Sequence, residues 1–115
     1  MIELTKNQKK IARELINLGL QRECLSFKNE ITQFVNNSKW EASNPKEFYH
    51  QLYKKVNTFD VHIGKRYDYL TGSHYFNTVL SLIFDKILTQ EDIERFDDEV
   101  QNEIVKMQNF WAANK

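Results

Sequence analysis

An all-α fold of four helices follows from three observations. Apolar residues recur at steps of three and four along nearly the whole chain, the period of a buried helical stripe. Only 3 Gly and 1 Pro occur in 115 residues, few for a chain built of loops and short strands. No strand signal competes with the helical period, and no linker or internal repeat divides the chain, so residues 1–115 read as one helical domain.

The first helix is expected from about Thr5 to Val35. One stripe holds Leu4, Ile11, Leu15 and Leu18; a second holds Leu20, Cys24, Phe27, Ile31 and Phe34. Gly19 stands where the stripes change register, so the helix either bends there or lets another helix approach closely. Unbroken, such a helix is roughly 45 Å long. That exceeds what a chain of this size needs to cover its own core, and favours a homodimer, antiparallel in arrangement.

Asn36-Asn37-Ser38 ends the first helix, and residues 39–43, with Trp40, read as a loop. Asn44-Pro45-Lys46-Glu47 opens the second. Asn44 caps, Pro45 occupies a position where its missing N–H costs nothing, and Glu47 reaches back to the cap. Phe48, Leu52, Val56 and Phe59 then point inward, and Gly64 ends or kinks the helix. Residues 64–73 form a connector from which Thr71 or Ser73 caps the third helix. Tyr75, Phe76, Val79, Leu80, Leu82, Ile83, Ile87 and Leu88 make that helix apolar over a wide arc, so it is the central element. Thr89-Gln90-Glu91-Asp92 opens the fourth, with acids at its positive end and a stripe of Ile93, Phe96, Val100, Ile104, Met107 and Trp111.

Composition bounds the function. With 16 basic and 16 acidic residues the net charge is zero, which argues against bulk binding of nucleic acid or of a membrane surface. The balance is nonetheless uneven, +4 over residues 1–57 and −4 over residues 58–115, a polarity suited to complementarity within the chain or across an antiparallel dimer. No apolar run spans a bilayer, Met1 to Lys6 lack the run of a secretory signal, and the single Cys24 forms no internal disulfide; a cytoplasmic setting is expected.

Catalytic and metal signals are weak. His50, His62 and His74 recur every twelve residues, not at the three- or four-residue spacing that lets one helix hold a metal. They read as surface or boundary histidines, and no metal site is expected. Cys24 falls on an apolar stripe and reads as a buried structural thiol. Phosphate-cradling loops and nucleophile turns are missing from the pattern. Lys54, Lys55, Lys65 and Arg66, near Tyr49, Tyr53, Tyr67 and Tyr69, mix cations with aromatic rings. The mixture suits nucleic acid or a protein interface, and the neutral chain favours a protein. Trp40, Tyr49, Tyr53 and Lys54 are the candidate contacts. Trp40 either anchors a partner or folds back onto the helices.

The order of these pieces resembles the fluorescence recovery protein family, and in particular its members outside the cyanobacteria. Arg22-Glu23 matches an Arg-Glu pair midway along that family's long first helix. A Pro-led second helix is matched from Pro45 through Leu52 and Val56. Ile63-Gly64-Lys65-Arg66-Tyr67-Asp68-Tyr69 matches an Ile-x-x-Lys-Tyr-Asp-Tyr block with Arg for Lys. Leu88-Thr89-Gln90-Glu91-Asp92-Ile93 matches a Leu-x-x-x-Asp-Leu start, and the resemblance covers residues 12–96. It implies an all-helical homodimer without cofactor or catalytic activity, a regulator acting by protein–protein contact. The cyanobacterial members bind the C-terminal domain of the orange carotenoid protein through a Trp, a His-Asp pair and an Arg of the second helix. This chain has His50, Tyr53-Lys54 and Asp60 at those places, with acid and base exchanged, so the resemblance carries over the fold and the dimer but not that partner. Within the block, Asp68 is expected to cap backbone N–H groups of the connector, with Tyr67 and Tyr69 packed beneath it and both hydroxyls bonded.

Overall fold

The computed structural model describes residues 2–42 and 44–114; Met1, Lys115 and the expected loop residue Ser43 lie outside them. Among the described residues every regular element is a helix: α1 Lys6–Val35, α2 Pro45–Tyr67, α3 Tyr75–Phe84, α4 Gln90–Ile93 and α5 Asp98–Ala113, with short 3-10 turns at Ser38–Glu41 and Gly72–His74. No helix is long and apolar enough to cross a membrane. The residues form two compact units, Met1–Gly19 with Tyr69–Lys115, and Leu20–Asp68. α1 runs without interruption from the first into the second.

Among the described residues, every buried apolar side chain lies in the first unit. Thr5 opens α1 in a reciprocal capping box: its Oγ1 accepts from the Gln8 N–H at 3.2 Å, while Gln8 Oε1 accepts from the Thr5 N–H at 2.8 Å. Buried Gln8 then donates Nε2 to Asp97 Oδ2 at 2.9 Å, and Asp97 caps α5 by accepting from the Val100 N–H through Oδ1 at 3.1 Å. One carboxylate therefore ties two helix starts together. These bonds hold the Asp97 carboxyl below the usual carboxylate range, Gln8 contributing most.

The buried face of α1 is Gln8, Ala12, Leu15, Ile16 and Gly19, with buried Leu4 just ahead of the helix, turned by about one residue from the expected Ile11–Leu18 stripe. A small residue accounts for part of the turn, because Gly19 admits Leu82 of α3 closely. A Cβ placed on Gly19 would stand 2.8 Å from Leu82 Cδ1, and Leu82 is itself fully buried. Of the two readings of Gly19, close approach holds and the helix is not broken.

α3 is the central element, with Phe76, Thr78, Val79, Leu80, Leu82 and Ile83 buried. Its start departs from expectation: Thr71 Oγ1 bonds Ser73 Oγ at 3.0 Å and His74 Nδ1 at 2.8 Å, and neither hydroxyl caps the helix. It also ends earlier, at Phe84. Lys86 takes the left-handed conformation (φ 62°), and the Leu82 carbonyl accepts from both Ile87 and Leu88, at 2.9 and 3.2 Å.

The expected fourth helix is two helices. Thr89 and Asp92 form a capping box for the single turn α4, with the Thr89 N–H on Asp92 Oδ2 at 2.7 Å. The chain then turns through 94–97 before Asp97 starts α5. Ile93, Phe96, Val100 and Ile104 are all buried across the break, so the apolar period survives it and conceals it.

Two outcomes follow from this core. Gly19→Ala is expected to destabilise by about 1–2 kcal/mol in chemical denaturation, overpacking against Leu82 outweighing the gain in helix propensity; Leu82→Val beside it should recover part of the loss. Lys86→Gly, which relieves a left-handed side chain, is expected to raise stability by about 1 kcal/mol in the same assay.

Candidate interaction site

The second unit, residues 20–68, is a hairpin of the latter part of α1 and the whole of α2, joined by the Ser38–Glu41 turn. Asn44 caps α2 through the Lys46 N–H at 2.8 Å and Pro45 opens it, as the sequence predicts. Glu47, expected at the cap, instead accepts from Gln51 Nε2 at 2.6 Å. Gly64 does not end the helix. α2 continues to Tyr67 and closes where the Asp68 N–H donates to the Gly64 carbonyl at 3.0 Å.

Glu23 is the polar centre of the hairpin. Its Oε1 lies 2.7 Å from His62 Nε2 and accepts from Arg66 at 3.0 Å, while its Oε2 accepts from the Tyr67 hydroxyl at 2.5 Å. The Glu23 and Arg66 side chains are each only 11% exposed. Burial alone would raise the Glu23 pKa, but the Tyr67, His62 and Arg66 donors outweigh it and hold the carboxyl below its ordinary value. Burial and the neighbouring carboxylate push the Tyr67 hydroxyl well above the usual phenol range. The two sequence motifs Arg22-Glu23 and Arg66-Tyr67 thus meet on one carboxylate, from helices that the linear pattern could not pair.

Beyond Glu23 the seam is aromatic. Phe27 and Phe59 stack in parallel with centroids 4.1 Å apart, Phe34 stacks on Phe48 at 5.5 Å, and Lys55 pairs with Glu30 at 3.2 Å while lying over the Phe34 ring. A groove of about 880 Å³ runs along this seam, lined by Phe27, Glu30, His50, Lys54 and Phe59 among others.

The predicted site residues separate into distinct roles. Trp40 is folded back: its Nε1 donates to the Phe34 carbonyl at 2.6 Å and its ring meets Phe34 and Phe48 edge-on. Arg66 and Tyr67 converge on Glu23. Asp68 acts through its backbone, closing α2, rather than by capping connector N–H groups with its carboxylate. Tyr69 corrects the expectation most sharply, since it is 97% exposed and left-handed (φ 59°) with no packed ring. Tyr49, Tyr53 and Lys54 lie exposed on α2. Lys54 and Asp60, six residues apart, fall on different faces of the helix and make no ion pair.

Cys24 is exposed, not buried. A two-helix hairpin covers only a narrow strip of each helix, and Cys24 falls beside that strip. Val56, expected inward, is likewise exposed. Among the described residues no three His, Cys, Asp or Glu side chains lie close enough to share a metal ion. Compared with known proteins, the chain matches no family model, no curated protein and no solved structure.

Glu23→Gln is expected to cost about 2 kcal/mol near neutral pH, because Arg66 loses its carboxylate in a poorly solvated place. The Glu23 pKa is depressed by folding, so its contribution is full above the ordinary carboxylate range and is lost as pH falls through the lowered value. The gap between wild type and variant in urea midpoint should therefore narrow as pH falls below the ordinary carboxylate range, while Tyr67→Phe should keep a smaller deficit of about 1 kcal/mol at neutral pH.

Proposed function

We propose that this chain is a non-enzymatic helical regulator that works by protein–protein contact as a homodimer, similar in kind to the fluorescence recovery protein family. One observation carries the reading. Among its described residues the hairpin of 20–68 contains no buried side chain, yet it exposes Leu25, Val35, Tyr49, Tyr53, Val56 and Val61. An isolated helical hairpin that hides so little apolar surface gains too little to offset the entropy of ordering it. Contact with protein supplies the missing burial, and the Tyr-rich face of α2 has the composition of such contacts.

The alternative reading, a nucleic-acid-binding regulator built on Lys54, Lys55, Lys65 and Arg66, is weakened by two internal commitments. Lys55 pairs with Glu30 and Arg66 with Glu23, which leaves Lys54 and Lys65 for phosphate. The exchange of acid and base on α2 argues against the orange carotenoid protein as partner, so the partner is a different protein.

Light scattering with size exclusion tests the first half of this reading, and a mass near twice 13.8 kDa is expected. A monomer at all concentrations overturns it. For the second half, affinity capture from the source cells with stepwise salt elution should release a stoichiometric protein. Release of nucleic acid at modest salt would instead establish the alternative.

A further inference from the structure

The groove along the hairpin seam is lined only by residues of 20–68, so every side chain that shapes it belongs to one unit. Its volume, about 880 Å³, falls within the roughly 300–1,000 Å³ of small-molecule sites. A row of rings lines it: Phe27 stacks on Phe59 at 4.1 Å, and the His62 ring follows at 6.3 Å. One wall is a ladder of donors. His50, Lys54, Thr58 and His62 line the groove from α2 at steps of four residues, one above another at intervals of about 6 Å. None of the four is an acid.

The charges of the groove are unequally committed. Glu30 pairs with Lys55 at 3.2 Å, and His62 Nε2 lies 2.7 Å from Glu23. Lys54 is exposed on the wall and, among the described residues, makes no ion pair. Glu47, which accepts from Gln51, lines the groove seven residues earlier, about 10 Å along the axis.

We propose that this groove binds a small amphipathic carboxylate, with its acid group on Lys54 and its apolar body along Phe27 and Phe59. The site goes beyond the regulator reading and needs neither a dimer nor a protein partner. Charge complementarity fixes the class of ligand. Lys54 supplies positive charge that no acid of the chain offsets, and His50 and Thr58, one turn to either side, can share the oxygens of the anion. The half-buried rings of Phe27 and Phe59 supply apolar surface beside it. Glu47 fixes the direction. It repels an anion from its own end, so the apolar body runs from Lys54 towards His62, over about 12 Å of groove. A medium-chain fatty acid and a fused-ring aromatic acid both span that length.

Amide NMR shifts of the isotope-labelled full chain test the proposal, titrated near neutral pH with decanoate and separately with 2-naphthoate. At least one acid is expected to saturate in the millimolar range or below, with the largest shifts in 27–30 and 47–62. Saturation by decanoate alone assigns an aliphatic ligand, and by 2-naphthoate alone an aromatic one. Lys54→Gln is expected to weaken binding about threefold or more. Lys65→Gln makes the same change of charge on the same helix but outside the groove, and should leave binding unchanged. Decyltrimethylammonium, an alkyl chain of the same length with the opposite charge, should not saturate the groove. Failure of both acids to saturate overturns the proposal, as do shifts centred on the exposed Phe84 and Phe110 of the first unit. Equal binding of the cation overturns it too, and so does an equal effect, or none, of the two lysine variants. A monomer by light scattering overturns the homodimer reading and leaves this site standing.

Discussion

A single carboxylate decides how the hairpin closes. Glu23 takes donors from His62, Arg66 and Tyr67, three side chains spread over the last turns of α2. In a unit without a buried apolar core, aromatic stacking tolerates sliding, because one ring face serves much like another. Three donors aimed at two oxygens do not. The Phe27–Phe59 and Phe34–Phe48 stacks and the Lys55–Glu30 pair all lie on the register that Glu23 sets. This division of labour, polar groups for register and rings for adhesion, is that of helix pairs that must recognise one partner among several helical surfaces.

The first unit uses the opposite economy. Its core is apolar and closely packed, and its polar bonds sit at the ends of helices, where Thr5, Thr89 and Asp97 satisfy backbone N–H groups. Gln8 is the exception, a buried amide whose partners are all in place, and among the described residues no buried side-chain nitrogen or oxygen is left without one. Adhesion there comes from burial, and specificity from shape, most visibly where Leu82 lies over the bare backbone of Gly19.

Periodicity made the helices legible, because a 3.6-residue stripe follows from burial of one face whatever the partner. It placed α1, the Asn44-Pro45 start of α2 and the central α3. It failed where burial and helicity part company. Ile93, Phe96 and Val100 keep helical spacing across a turn, since a tight turn can also return side chains to the same core. Gly64 looked like a terminator, yet its carbonyl serves the helix end four residues later. Cys24 and Val56 were placed inward on stripes that are real but only partly covered. Of the candidate site, Arg66 and Tyr67 were singled out from the Tyr-Asp-Tyr block, and Glu23 from the Arg-Glu pair. Their meeting was not readable, because it depends on a pairing of helices some forty residues apart. Tyr69 was misjudged because a left-handed tyrosine leaves no mark in a one-letter pattern.

α1 passes from one kind of packing to the other within thirty residues, without a break in its hydrogen bonding. Up to Gly19 its backbone opens only if the apolar core opens; beyond Leu20 it is held by a half-covered seam. The free energy of local opening must therefore fall along a single continuous helix. Melting of such an element proceeds as a zipper from Val35 back towards Gly19, so the chain departs from all-or-none cooperativity wherever nothing else is bound. A molecule bound to the hairpin would restore that cooperativity, so the opening of α1 beyond Leu20 would report on occupancy.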